Sequence, residues 1–113
     1  MITIKEIQAA AKLIAPHIHR TPVLTCEAIN LKAGCRLYFK CENLQKVGAF
    51  KMRGATNAVF SLSEDDAAKG VATHSSGNHA QALALAARLR GTNAYIVMPT
   101  SAPAVKRAAV AGY

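Results

Sequence analysis

"GVATHSSGNHAQALALAARLRGTNAYIVMP", residues 70–99, decides how the rest of this chain is read. Val71-Ala72-Thr73 is a short apolar run suited to a buried strand. Ala94-Tyr95-Ile96-Val97-Met98 is a second, richer in residues that fit a pleated surface. Between them, Gln81 to Arg90 is helical by composition, and Gly91 stands where a left-handed helix C-cap is expected. A strand, a helix and a strand within about 30 residues is the size of a parallel crossover, because parallel neighbours cannot be joined by a tight turn.

Working outward, Pro103 to Ala111 begins a further helix, and the order of elements predicts an α/β fold with a parallel sheet. Upstream, Ser63-Glu64-Asp65-Asp66 has the form of a capped, acidic helix start that Gly70 brings to a close. A helix is expected from about Lys51 to Leu62, preceded by a loop at Lys46-Val47-Gly48-Ala49. Arg36-Leu37-Tyr38-Phe39-Lys40-Cys41 reads as a strand. At the start, Thr3 and Glu6 are spaced as a capping box, and Ile4, Ile7, Ala11 and Ile14 recur at helical spacing until Pro16. His17 to Pro22 is expected to be extended, since Thr21 precedes a proline. Only two strands of the parallel sheet are visible, and such a sheet needs both faces covered. The chain therefore reads as an incomplete protein, either a truncated reading frame or the N-terminal part of a longer one.

Hydrophobic residues make up 51% of the 113 and charged residues 18%, a globular balance rather than a disordered one. Three Phe, three Tyr and no Trp suit alanine-rich helices on a sheet better than an all-β sandwich. The net charge of +8 comes from 14 basic and 6 acidic side chains. The basic residues are scattered and not interleaved with aromatics, which argues against a nucleic-acid partner and fits an anion-binding site equally well. No apolar stretch is long enough to span a membrane. Cys26, Cys35 and Cys41 match no CxxC pattern, so reduced thiols and a cytoplasmic location are expected. His17, His19, His74 and His79 form no ligand set with nearby acids, and no metal site is assigned.

Two short stretches carry chemistry. In a strand-turn-helix arrangement, the amides that open the helix lack intrahelical acceptors and carry the positive end of its dipole. At His74 to Ala80, Ser75, Ser76 and Asn78 add short side-chain donors, and Gly77 allows close approach to the backbone. That is a site for a carboxylate or phosphate, although an ordinary capped turn uses the same residue types. Lys51, between Phe50 and Met52, stands in the first turn of its helix. Burial there would favour the neutral amine, the condition for a nucleophile toward carbonyls, whereas a solvated lysine is the plain alternative.

"ENLQKVGAFKMRGATNAVFSL" (residues 42–62), "VATHSSGNHAQALALAARLRG" (71–91) and "AYIVMP" (94–99) together resemble the N-terminal third of the serine/threonine dehydratase and serine racemase family. "HRTPVLT" (19–25) resembles that family's early substrate-side segment. The resemblance implies the pyridoxal-phosphate-dependent fold shared with the tryptophan synthase β subunit, known as fold type II. Lys51 would bond covalently to pyridoxal 5'-phosphate, Phe50 would pack near its ring, and Asn78 would hydrogen-bond its 3-oxygen. Ser75, Ser76, Gly77, Asn78 and His79 would hold the carboxylate of a small amino-acid substrate. In the family, Ser76 in "SSGNH" is typical of serine racemases and the related hydroxyaspartate dehydratases, where threonine dehydratases usually carry alanine. Lys51 and Ser76 would then serve opposite faces of the substrate's Cα as catalytic proton donors.

The reaction so implied is serine racemisation with dehydration to pyruvate and ammonia. Threo-3-hydroxyaspartate ammonia-lyase and threonine dehydratase are the neighbouring alternatives, and a non-catalytic fragment or binding module is the alternative of another class. By the same resemblance, residues 1–69 belong to the large domain and residues 70–113 open the small one. The full-length form would be a homodimer. The phosphate-cradling loop, and any site for Mg2+ or another divalent cation, would lie in residues this chain does not carry, so the fragment alone is expected to be inactive. Met52 departs mildly from the family's pattern, and Glu27 and Val47 depart where animal members carry hydroxyl side chains near an activating nucleotide.

Overall fold

The computed structural model describes residues 1–113. Helix α1, Ile4–Ile14, opens with the capping box read from Thr3 and Glu6, both halves of which are formed. Pro16 follows in a 3-10 turn, Ala15–His17, and the chain is extended from Ile18. The expected extended segment thus begins one residue late, because His17 closes the turn and stacks on Phe60 with ring centroids 3.8 Å apart. A two-residue strand, β1 (Val23–Leu24), pairs antiparallel with β2 (Phe39–Lys40).

The strand expected over Arg36 to Cys41 is therefore much shorter. Leu37 donates its N–H to the Asn30 side chain instead of a ladder, at 2.8 Å, and beyond Lys40 the chain folds into a 3-10 turn, Glu42–Leu44. Between the strands lies α2, Glu27–Ala33, a helix the sequence reading missed. Its one clear signal was Gly34, which ends it in the left-handed conformation at φ 66°.

The turn Lys46–Gly48 leads into α3, Lys51–Phe60. Next comes α4, Glu64–Ala68, whose Ser63 hydroxyl accepts from the Asp66 N–H as expected. Strand β3 (Val71–His74), helix α5 (Asn78–Arg90) and strand β4 (Ala94–Val97) form the crossover unit, and β3 pairs with β4 in parallel from Val71 opposite Ala94 to His74 opposite Val97. Gly91 ends α5 at φ 77°. The final helix, α6 (Ala104–Gly112), packs on α5. No helix is long and apolar enough to cross a membrane.

The core lies between α3 and α5. Met52, Ala55 and Val59 recur down one side of α3 and meet Ala82, Leu83 and Ala86 of α5. Alanines on α5 let the two backbones approach closely, and each methyl group removed from water adds to the stability of the contact. In the parallel sheet, Val71, Thr73, Ala94 and Ile96 are half-covered, while Ala72, His74, Tyr95 and Val97 are exposed.

Candidate active site

Arg90, at the end of α5, donates to the carbonyls of Val59, Phe60 and Leu62 at 2.8 to 3.1 Å, and so joins the C-terminal ends of α5 and α3. The two helices pack along their length and have 13 and 10 residues. Helices joined at one end and packed side by side run in the same direction, so their N-termini lie at the same end of the pair. Lys51 opens α3, and the His74 to Ala80 junction opens α5. The two stretches singled out in the sequence are thus brought to one end of the helix pair.

The junction itself differs from an ordinary capped turn. Gly77 is the N-cap of α5, and no side chain caps the helix. The Ser75 hydroxyl accepts the Gly77 N–H at 3.3 Å and so shapes the turn, while the Ser75 N–H continues the sheet by donating to Val97. Ser76 and Asn78 are exposed; Ser75, Gly77 and His79 are half-buried. The first amides of α5 consequently keep their hydrogen-bonding capacity and the positive end of the dipole.

Lys51 is exposed, and its ammonium lies 5.2 Å from the centre of the Phe50 ring. Of the two readings of Lys51, the structure shows the solvated one: Met52 takes the buried place at 0% exposure, whereas Phe50 stands 61% exposed on the other side. Helical geometry turns adjacent residues about 100° apart, so one apolar neighbour faces the core and the other cannot. None of the chain's four surface concavities is lined by Lys51 or by residues 74–80, so the site is open to water.

Behind α3 lies a polar network that sequence reasoning did not find. Arg53 grips Glu42 through Nε at 2.8 Å and Nη2 at 2.7 Å, and the Thr21 hydroxyl donates to the same carboxylate at 2.6 Å. These donors, Arg53 foremost, lower the Glu42 carboxyl from 4.5 to about 2. Gln45 is buried and bonds both the N–H and the C=O of His19 at 2.8 Å. Together these contacts tie the segment around Thr21 to the turn that leads into Lys51. Their members lie 11 to 32 residues apart, a spacing no local motif signals. No three His, Cys, Asp or Glu side chains converge so as to hold a metal ion.

The chain's likeness to known proteins gives its family and its fold. Residues 14–113 match the model of the pyridoxal-phosphate-dependent enzyme family. The chain belongs to that family, and its α/β fold is fold type II. It is 58% identical over 112 residues to serine racemase of Dictyostelium discoideum, covering 99% of this chain and 35% of that protein. It is 55% identical over 111 residues to beta-hydroxyaspartate dehydratase of Paracoccus denitrificans, covering 98% and 35%. The crystal structure of the Dictyostelium serine racemase superposes with a TM-score of 0.96 over 99% of this chain and 37% of that one. The chain thus spans about a third of the length of these relatives.

The residues present fit the family's cofactor, pyridoxal phosphate. They supply a primary amine free of any ion pair, an exposed aromatic ring beside it, and uncapped amides with two hydroxyls and a carboxamide at the same end of the helix pair.

Proposed function

We propose that this chain carries the lysine and the carboxylate-binding half of an enzyme that racemises serine and eliminates its hydroxyl to give pyruvate and ammonia. The observation carrying this reading is the convergence of Lys51 and the uncapped Ser75-Ser76-Gly77-Asn78-His79 junction at one end of the α3–α5 pair. The high identity to serine racemase and to beta-hydroxyaspartate dehydratase supports it, and a 3-hydroxyaspartate or threonine substrate is the neighbouring option.

Pyridoxal phosphate, when bound, supplies the electron sink that acidifies the substrate's Cα–H bond. This chain's residues hold and move the proton. The amides that open α5, with Ser75, Asn78 and His79, would orient the substrate carboxylate, and Asn78 would also donate to the cofactor. Lys51 would hold the cofactor covalently and exchange a proton at one face of Cα, and Phe50 would pack near the ring. Ser76 serves the opposite face, so that racemisation needs both residues while elimination of the hydroxyl needs only one. In L-serine turnover, Ser76→Ala should therefore abolish D-serine formation and leave appreciable pyruvate formation. Equal loss of both products would remove the two-face assignment.

Residues 1–69 as part of a large domain and 70–113 as the opening of a small one belong to the same proposal. So do a homodimeric full-length form and a cytoplasmic location, the latter supported by three free thiols. The openness of the site favours a second reading, in which this chain binds but does not catalyse. Visible absorbance tests the binding step that the two readings share. Mixed with pyridoxal phosphate and dialysed, the chain should retain an absorption band that Lys51→Ala lacks. An equal band in the variant would count against Lys51 as the attachment point, whereas no band in either chain would show that the lysine needs contacts beyond those this chain supplies.

A further inference from the structure

Lys106 belongs to α6, and the carboxylate site described above does not include it. Its Nζ nonetheless comes within 3.9 Å of the position a Cβ on Gly77 would take, nearer than any other atom outside the junction's own local chain. The side chain is half-buried, and Nζ makes no hydrogen bond; none of the chain's three ion pairs involves it. The opening of α5 beside it carries partial positive charge and has no side-chain cap. Two positive features thus lie close together with no acidic side chain paired to the ammonium. Neither favours the other unless an anion lies between them, in which case both are satisfied by one group.

We infer that Lys106 is the cationic member of the substrate-carboxylate site, held against the Gly77 junction by the packing of α6 on α5. The inference rests on the carboxylate assignment made under the proposed function, and adds a residue and a charge to it. Without Lys106 the junction offers neutral donors and a helix dipole; with it, one hydrogen bond to the carboxylate becomes charge-assisted, a class roughly twice as strong as neutral pairs. The same contact makes recognition depend on α6. Residues 104–112 would then stiffen around bound substrate, coupling the last helix of the chain to occupancy of a site built by α3 and α5.

The test is a titration of the 15N-labelled chain with sodium acetate at constant ionic strength, following the amide signals of Gly77, Asn78 and His79. In the wild-type chain these signals should shift saturably. Lys106→Gln and Lys106→Met should each weaken acetate binding about tenfold, the loss expected for one charge-assisted hydrogen bond. Lys106→Arg should keep most of it. The remaining amide signals of each variant report whether it is folded, and the Met variant preserves the apolar stem should the Gln variant unfold.

Unchanged affinity in the folded Gln and Met variants would overturn the role of Lys106 and leave the junction's carboxylate role standing. The absence of saturable shifts in the wild-type chain would overturn both. Tighter binding of inorganic phosphate than of acetate would assign the Lys106–Gly77 pair to a phosphate, and so overturn the carboxylate inference by a different route.

Discussion

Arg53 and Glu42 lie 11 residues apart and hold the turn before Lys51 in place through two short hydrogen bonds. The Glu42 carboxyl titrates in the folded chain at about 2 rather than 4.5. A depressed carboxyl contributes stability that is complete above the unfolded value and is lost as pH falls toward the folded one. The pair should therefore lose its stabilising effect progressively between pH 4.5 and about 2, and Glu42→Gln should flatten that limb of an acid unfolding curve. At neutral pH the same variant should cost about 2 kcal/mol in urea unfolding, since Arg53 and Thr21 lose a charged acceptor. Thr56 makes the opposite case. Its hydroxyl is wholly buried and has no partner, so Thr56→Val, which keeps the shape, should stabilise the chain by about 1 kcal/mol.

At the scale of elements, the capped helix starts at Thr3 and Ser63 and the left-handed helix end at Gly91 were legible because each is encoded within a few residues. Strand extent was not. Tyr38, Phe39 and their neighbours have strong β character, but a ladder needs a partner, and β1 offers only two residues. Gly70 shows how an element start can hinge on one residue. It sits at φ 86°, and a Cβ there would lie 2.8 Å from the Tyr95 ring and 3.0 Å from the Asn93 carbonyl oxygen. Gly70→Ala should cost about 2 kcal/mol or more and disturb the β3–β4 pairing, visible as faster amide exchange at Val71. Arg90 joins two elements while only 11% of its side chain is exposed. Arg90→Lys should lower the unfolding free energy by about 2 kcal/mol, because an ammonium cannot span the three carbonyls the guanidinium reaches.

Across the whole molecule, the radius of gyration of 16.6 Å exceeds the roughly 13 Å of a compact domain of this length. Only 16 of 113 residues are buried, and Phe50, Tyr95, Val97 and Val105 are among the large apolar side chains left exposed. The chain should accordingly bind a hydrophobic dye such as ANS under native conditions; fluorescence no higher than that of a compact protein of this size would contradict the exposed surface. Because the core joins α3 to α5 across residue 69, the two stretches should unfold together, with near- and far-UV circular dichroism tracing one transition.

Spacing and residue type were enough to read the crossover unit and to single out the turn at residues 74–80 and Lys51 as candidates, and the family resemblance alone gave those two their proposed roles. Helix caps, strand runs and junctions are written in contiguous residues, and the quoted motifs carried the family resemblance. Four features needed the folded chain: the common end shared by Lys51 and the junction, the exposure of Lys51, the Glu42–Arg53–Thr21 network and the approach of Lys106 to Gly77. Each depends on how segments distant in sequence pack on α3 and α5, and that packing follows from the whole set of long-range contacts rather than from any local pattern.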